Sequence, residues 1–179
     1  MGNVKPVAKV KLFVAMLSPN IELFDKAIPY LEKEFGKVDS ESDIIPFAYT
    51  EFYEKEMGKG IMRKFYSFSQ LIDPMDLSEI KIKTNSIEKD FFTVDGNRTI
   101  NLDPGYIALS KLVLASVKER PHRICIGNGI FAEITLYFEK KSFRAWERTY
   151  PDYASQEYIS YLNKVRNIYA ENLKENKNF

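Results

Sequence analysis

The sequence predicts an α+β domain: a largely antiparallel sheet with about three helices packed on one face or at one end. Three observations carry this. Helical periodicity occurs in three well-separated stretches, in the order strand, helix, strands, helix, many strands, helix. The strand-rich middle does not alternate strand with helix as a doubly wound fold does. Val10 to Leu17 is apolar on both faces after Lys11, the pattern of a central strand covered on two sides.

Taken in order, Val10 to Leu17 is the first strand, and Ser18-Pro19-Asn20 ends it. Ile21, Phe24, Ile28, Leu31 and Phe35 then recur at helical spacing, with Gly36 placed as a C-cap. Pro29 lies inside this helix, where a proline costs ~3 kcal/mol and is expected to kink it. Ile44 to Phe47 and Ile61 to Phe68 read as strands, with a polar, aromatic stretch from Tyr49 to Gly60 between them. Asp73-Pro74 starts the second helix, Asp as N-cap and Pro at the first helical position, and Leu77, Ile80, Thr84, Ile87 and Phe91 continue one face. Asp95-Gly96 predicts a hairpin, because both residues tolerate positive φ. Asp103-Pro104-Gly105 reads as a sharp turn. Leu112 to Val117, His122 to Ile126 and Ile130 to Phe138 read as three further strands. Ser155 caps a long final helix with Tyr158, Tyr161, Leu162, Val165, Ile168, Tyr169 and Leu173 inward. The tail from Lys174 to Phe179 is polar and is expected to fray.

The chain has 179 residues, within the usual range for one domain, so residues 1–179 are read as a single unit. Lysine plus arginine is 26 and aspartate plus glutamate 25, a net charge of +1 that argues against a generic polyanion binder. One cysteine excludes an internal disulfide and a cysteine zinc site, and one histidine excludes a multi-histidine metal site within one chain. Aromatic residues are plentiful at 14%, enough for a substantial core. The apolar run Leu12 to Leu17 is shorter than the ~20 residues a membrane span needs and shorter than a usual signal-peptide core. Pro6 stands where a myristoylation signal has Ser or Thr. The expectation is a cytoplasmic protein without a membrane partner.

The best-defined local geometry is a hairpin on Gly127-Asn128-Gly129. It sets Cys125 against Phe131, Ile124 against Ala132 and Arg123 against Glu133. Alternation puts Ile124, Ile126, Ile130, Ala132 and Ile134 on one face, read as core, and Arg123, Cys125, Phe131, Glu133 and Thr135 on the other. Arg123 and Glu133 are either a cross-strand ion pair or the lining of a polar pocket, with Glu as base or metal ligand and Arg as anion clamp.

Several blocks taken together resemble a bacterial and archaeal family of unknown function. They are Thr50 to Gly58 (TEFYEKEMG), Thr84 to Glu88 (TNSIE), Asn101 to Tyr106 (NLDPGY), Lys111 to Ser116 (KLVLAS), His122 to Ile124 (HRI), Gly129 to Leu136 (GIFAEITL) and Thr149 to Tyr153 (TYPDY). The likeness runs from Val10 to about Tyr169; Glu51-Phe52 stands where members resemble Asp-Tyr. Some members are described as GTP-binding proteins. The residues give no P-loop: G-x-x-x-x-G-K-[ST] is absent, and Gly58-Lys59-Gly60 is too short. Asn163-Lys164-Val165-Arg166 ends in Arg where a guanine-reading N-K-x-D needs Asp. The resemblance implies a family and no mechanism.

The candidate ligand-binding residues are Arg63, Asn101, Asp103, Lys111, Arg123 and Glu133, with Tyr53, Glu56, Asn85 and Glu88 as a second tier. Asn101 and Asp103 form a polar pair at a strand end, and Asp103 with Glu133 could hold Mg²⁺ through oxygen ligands. Tyr53 and Glu56 belong to a stretch that reads as a lid or an aromatic contact surface. Asn85 and Glu88 share a helical face with Lys81, read more simply as solvated. Lys118, Glu119, Arg120 and Arg123 make a short basic loop around Pro121, read as a solvated turn with phosphate contact as the alternative. His122 reads as a core-facing structural histidine. Trp146, Phe143 and Thr149 to Tyr153 are expected to pack the last helix, with Pro151-Asp152 breaking the chain before it. The leading functional expectation is a pocket for a small anionic, phosphorylated or nucleotide-like ligand, with or without catalysis. The alternatives are a non-catalytic interaction or oligomerisation module, and an RNA-binding protein that stacks bases on aromatic side chains.

Overall fold

Alternation along the first strand decides the layers of the molecule. β1 (Val10–Ser18) is buried along its whole length. Its Leu12, Val14 and Met16 pack against Phe24, Ala27 and Leu31 of α1 (Glu22–Phe35). Its Phe13 and Ala15 face the other way, into a cluster with Tyr158, Leu162 and Val165 from the C-terminal helix. Helices therefore cover both faces of the sheet, not one, because a strand apolar on two sides needs cover on two sides.

The computed structural model describes residues 2–175. After α1 come β2 (Val38–Glu41), β3 (Ile45–Pro46), the single-turn α2 (Glu54–Met57) and β4 (Met62–Ile72). A 3-10 turn at Pro74–Asp76, capped by the Asp73 carboxylate on the Met75 N–H (2.9 Å), leads into α3 (Leu77–Phe91). Then follow β5 (Thr93–Val94), β6 (Asn97–Arg98), β7 (Asn101–Ile107), β8 (Lys111–Ser116), β9 (Ile124–Cys125), β10 (Phe131–Glu139), β11 (Ser142–Ala145) and α4 (Gln156–Glu175). α4 includes Lys174; residues 176–179 of the tail expected to fray lie outside the described residues.

Among the described residues nine strands form one antiparallel sheet in the order β11-β10-β8-β7-β1-β4-β2, with β3 on β4 and β9 on β10. β5 and β6 form a separate hairpin that turns at Asp95 and Gly96, both at positive φ. α1 and α3 cover one face and α4 the other. The result is a single α+β domain. α1 runs through Pro29 unbroken: Pro29 and Asp25 are exposed, so the carbonyl freed of its helical partner faces water. Five of the aromatic residues meet in one cluster. Phe65 lies 4.7–6.4 Å from the rings of Phe13, Tyr153, Tyr158 and Tyr161, and each such pair adds ~0.5–1.5 kcal/mol beyond burial.

The expected turn at Asp103-Pro104-Gly105 is instead the middle of β7, paired with β1 from Ile107↔Lys11 to Asn101↔Leu17. On its other edge β7 meets β8 over three pairs only, Ile107↔Leu112 to Gly105↔Leu114. The pairing stops at Pro104, which has no N–H to donate to a ladder. Gly105 closes the seam: a Cβ there would lie 2.4 Å from the Val113 carbonyl and 2.7 Å from the Phe13 ring. Beyond it β7 stays with β1 while β8 stays with β10 as far as Ser116↔Phe131. The sheet forks.

Candidate functional site

A cavity of about 660 Å³ occupies the fork. β7 supplies its floor. Asn101 and Asp103, two residues apart on one face, are joined by an Asn101 Nδ2–Asp103 Oδ2 hydrogen bond of 2.6 Å. Lys81 reaches in from α3, donating to the Leu102 carbonyl at 2.9 Å and to Asp103 Oδ1 at 3.2 Å. Burial pushes the Asp103 carboxyl up, but Lys81 and Arg63 outweigh it and hold the group below its ordinary value. Glu88, two turns on from Lys81, accepts from the Leu102 N–H and from Arg98 Nη1 (3.0 Å). Burial still leaves its carboxyl raised, against Lys81, that N–H and Arg98. Arg98 also donates to Asn101 Oδ1 at 2.8 Å, and its fork is held by both Glu56 oxygens at 2.7 Å.

The opposite wall comes from the hairpin of β9 and β10. Its register is the expected one, Cys125↔Phe131 and Ile124↔Ala132, and Arg123 Nε donates to Glu133 Oε2 at 2.7 Å. Arg123 also donates to Ser116 Oγ (2.9 Å), the Lys118 carbonyl (2.6 Å) and the Tyr150 hydroxyl. Glu133 further meets His122 Nε2 at 3.1 Å and Thr135 Oγ1 at 3.3 Å.

Arg63 of β4 marks the inner end. Its Nε donates to the Tyr158 hydroxyl at 3.1 Å and its Nη2 to Asp152 at 3.2 Å. Four rings, Phe47, Phe65, Tyr153 and Tyr158, surround the guanidinium at 5.4–6.0 Å. Burial raises the Asp152 carboxyl in spite of Arg63, and it raises the Tyr158 phenol to about 12. Arg63 Nη1 and the Tyr153 hydroxyl are buried and have no hydrogen-bond partner among the described residues. At the mouth, the exposed Lys118 sets its ammonium 3.8 Å over the Phe52 ring. Burial, helped by Arg120 and Arg123, lowers its pKa.

Six cationic side chains and four carboxylates line the cavity. Arg63 pairs with Asp152, Lys81 with Asp103, Arg98 with Glu88 and Arg123 with Glu133. Lys118 and Arg120 have no carboxylate partner among the described residues, so the surplus positive charge sits at the mouth. Chemically, the floor offers acceptors in Asp103 and Asn101, the inner end an unused donor, the mouth two cations, and the walls the rings of Tyr49, Phe52, Tyr53 and Tyr150.

Of the residues singled out from the sequence, Arg63, Asn101, Asp103, Arg123, Glu133, Tyr53, Asn85 and Glu88 line this one cavity. Lys111 does not: it opposes Tyr137 in the ladder and lines a cavity on the other face of the sheet. Glu56 stands behind the site, as the counter-charge of Arg98. Asp103 and Glu133 share the cavity, but each is engaged by cations. Among the described residues no three His, Cys, Asp or Glu side chains gather as a metal site requires. Lys81 and Glu88 are buried rather than solvated, because α3 lies over the fork and not over open water.

The faces of the β9–β10 hairpin follow the expectation only in part: Ile130 is buried, with Ile126 and Ala132 packed on the same cluster, but the face read as polar is buried too. Glu133 and Thr135 are buried, while Ile124 and Ile134 are 75% and 49% exposed. The residues at 149–153 decide this: Thr149 bonds the Thr135 carbonyl at 2.6 Å and Tyr150 lies on Arg123, covering the polar face. α3 covers the apolar face only in part, through Leu77 in the cluster that holds Ile130, and leaves Ile124 and Ile134 open. His122 consequently lies at the surface and not in the core, and Trp146 packs on Tyr137 (4.5 Å), half exposed, rather than under α4. Asp152, expected only to break the chain, is the buried partner of Arg63. Sequence reasoning missed Arg98, Tyr150 and Asp152 as site residues. Asp152 and Tyr150 fall within the quoted TYPDY block; Arg98, in a hairpin strand, gave no signal.

The class is thus a three-layer α+β protein with a polar, aromatic-walled cavity in a forked antiparallel sheet. Residues 8–169 match the model of a domain of unknown function, DUF4416, and the chain belongs to that family. No curated protein and no solved structure matches it. Among the described residues no helix is long and apolar enough to cross a membrane.

Proposed function

We propose that this chain binds a small anionic, phosphorylated ligand in the cavity of the forked sheet, by a mechanism other than that of a P-loop GTPase. The observation that carries the reading is the pair of partnerless buried groups, Arg63 Nη1 and the Tyr153 hydroxyl, in a cavity whose cations outnumber its carboxylates. Buried polar groups are almost always paired, and one left unpaired in a cavity is suited to a ligand atom. The volume falls in the ~300–1,000 Å³ range of small-molecule sites. An interaction module would draw on the exposed Ile124, Ile134 and Trp146, but among the described residues no buried partnerless donor lies on that face. An RNA-binding protein would use Lys118 and Arg120 beside Tyr49 and Phe52; the net charge of +1 gives it little long-range attraction.

The test is a thermal-shift screen with inorganic phosphate, sugar phosphates and nucleotides. A bound compound at ~100 times its dissociation constant stabilises by ~2.7 kcal/mol. The reading expects at least one phosphorylated compound to raise the midpoint, and the shift to shrink in the Lys118→Gln, Arg120→Gln double variant. A cooperative melt that no phosphorylated compound moves would overturn it.

A further inference from the structure

Resting on that reading, we infer that the ligand is a phosphomonoester carried on a flat, carbonyl-bearing ring, bound with its phosphate at the mouth and its ring inward. Three features of the cavity each exclude a simpler ligand. Two cations at the mouth, Lys118 and Arg120, have no carboxylate partner among the described residues. A phosphomonoester carries about −1.5 to −2 at neutral pH and would neutralise both. An uncharged ring would leave them unused.

The space between mouth and inner end is bounded by aromatic rings. Phe47, Phe52 and Tyr53 form a chain of ring contacts at 5.2–6.0 Å. Burial and the nearby charge of Asp103 raise the Tyr53 phenol, with Tyr150 acting in the same direction, so these groups face a common interior. Rings on the walls favour a flat unsaturated body by stacking. Inorganic phosphate or a phosphorylated open-chain sugar has no surface for them.

The inner end lacks an acceptor. Arg63 is 3% exposed, with Nε and Nη2 committed and Nη1 free. A guanidinium only donates, so the atom that completes it is an oxygen or a ring nitrogen acceptor. Tyr153, which lines the same cavity, carries the second partnerless group, and two donors in one cavity suit a carbonyl oxygen with its two lone pairs. Asn101 and Asp103, on the floor between the two ends, offer acceptors for hydroxyls on a linker joining ring and phosphate. Two sources supply this chemistry: a nucleoside monophosphate and a phosphorylated aromatic coenzyme.

The experiment is calorimetric titration of the full chain with inorganic phosphate, ribose 5-phosphate, uridine, uridine 5′-monophosphate and riboflavin 5′-phosphate. The last two separate the nucleotide source from the coenzyme source. The tighter of them is expected to bind at least about tenfold more strongly than ribose 5-phosphate. The Lys118→Gln, Arg120→Gln variant should weaken that ligand about tenfold or more and leave uridine or riboflavin within about threefold. Tyr153→Phe should weaken the phosphorylated and unphosphorylated ring compounds by the same factor and leave inorganic phosphate unchanged. If ribose 5-phosphate binds as tightly as both ring phosphates, the ring is wrong and only the anionic-ligand reading survives. If the charge variant weakens the ring compounds with and without phosphate equally, the orientation is wrong. If no phosphorylated compound binds at all, the parent reading fails with it.

Discussion

Arg123→Ala tests whether the wall of the cavity is held by a buried ion pair. Both side chains of the Arg123–Glu133 pair are almost fully buried, at 2% and 3% exposure. Removing one partner of such a pair strands the other charge and costs ~3–5 kcal/mol. Glu133 would keep Thr135 and His122, which places the loss at the lower end, about 3 kcal/mol. For a domain of this size each kcal/mol moves the midpoint by about 2–4 °C, so the melting temperature should fall by about 6–12 °C. Urea denaturation at neutral pH gives the free energy directly. Adding Glu133→Gln to Arg123→Ala removes the stranded charge, so the double variant should be more stable than the sum of the single losses by ~0.5–3 kcal/mol. A loss below about 1 kcal/mol in Arg123→Ala, or single losses that add within about 0.5 kcal/mol, would refute the reasoning and leave Arg123 as a solvent-screened contact.

Gly105→Ala should destabilise by at least ~1–3 kcal/mol, as overpacking does, because its Cβ would collide with the Val113 carbonyl and the Phe13 ring; a thermal melt reads it. Asp103 is held below its ordinary value by Lys81 and Arg63 against burial, so its contribution is complete above the unfolded pKa of ~3.9 and is lost as pH falls through the lower folded one. Asp103→Asn should therefore differ most from the wild type at neutral pH and converge with it below about pH 4, as urea midpoints from pH 7 to 3 would show. Tyr153→Phe removes a buried hydroxyl with no partner, and unligated protein should be unchanged or stabilised by up to ~1–2 kcal/mol; a clear loss of stability would mean that the hydroxyl has a partner.

Much of the architecture was legible because it rests on local patterns. The two-sided β1, the Asp73-Pro74 start, the Asp95-Gly96 turn and the register of the β9–β10 hairpin all follow from residue type and spacing. What stayed hidden depends on partners distant in sequence. Pro104 and Gly105 carry turn chemistry, yet β1 on one edge keeps them extended, and their effect appears on the other edge as the fork. The polar face of the β9–β10 hairpin is buried and its apolar face only partly covered, because the segment at 149–153, and not side-chain polarity, decides where water is lost. Most of the chosen site residues share one cavity for a similar reason: charged and amide groups at strand ends and in mid-helix need compensation, and the fork is where it is found. Asp152 could be paired with Arg63 only by knowing where α4 begins.

The cavity is a gap between two strands that part company, so its width is set by a hinge of three residue pairs and not by the volume of the side chains around it. A site hollowed from a core can grow only by trading large residues for small ones, each at a cost in cohesion. Here the angle between β7 and β8 can open or narrow while the apolar layers above and below keep their residues. Under the proposed ligand-binding reading, the architecture thereby separates the evolution of cavity size from the upkeep of the folded state.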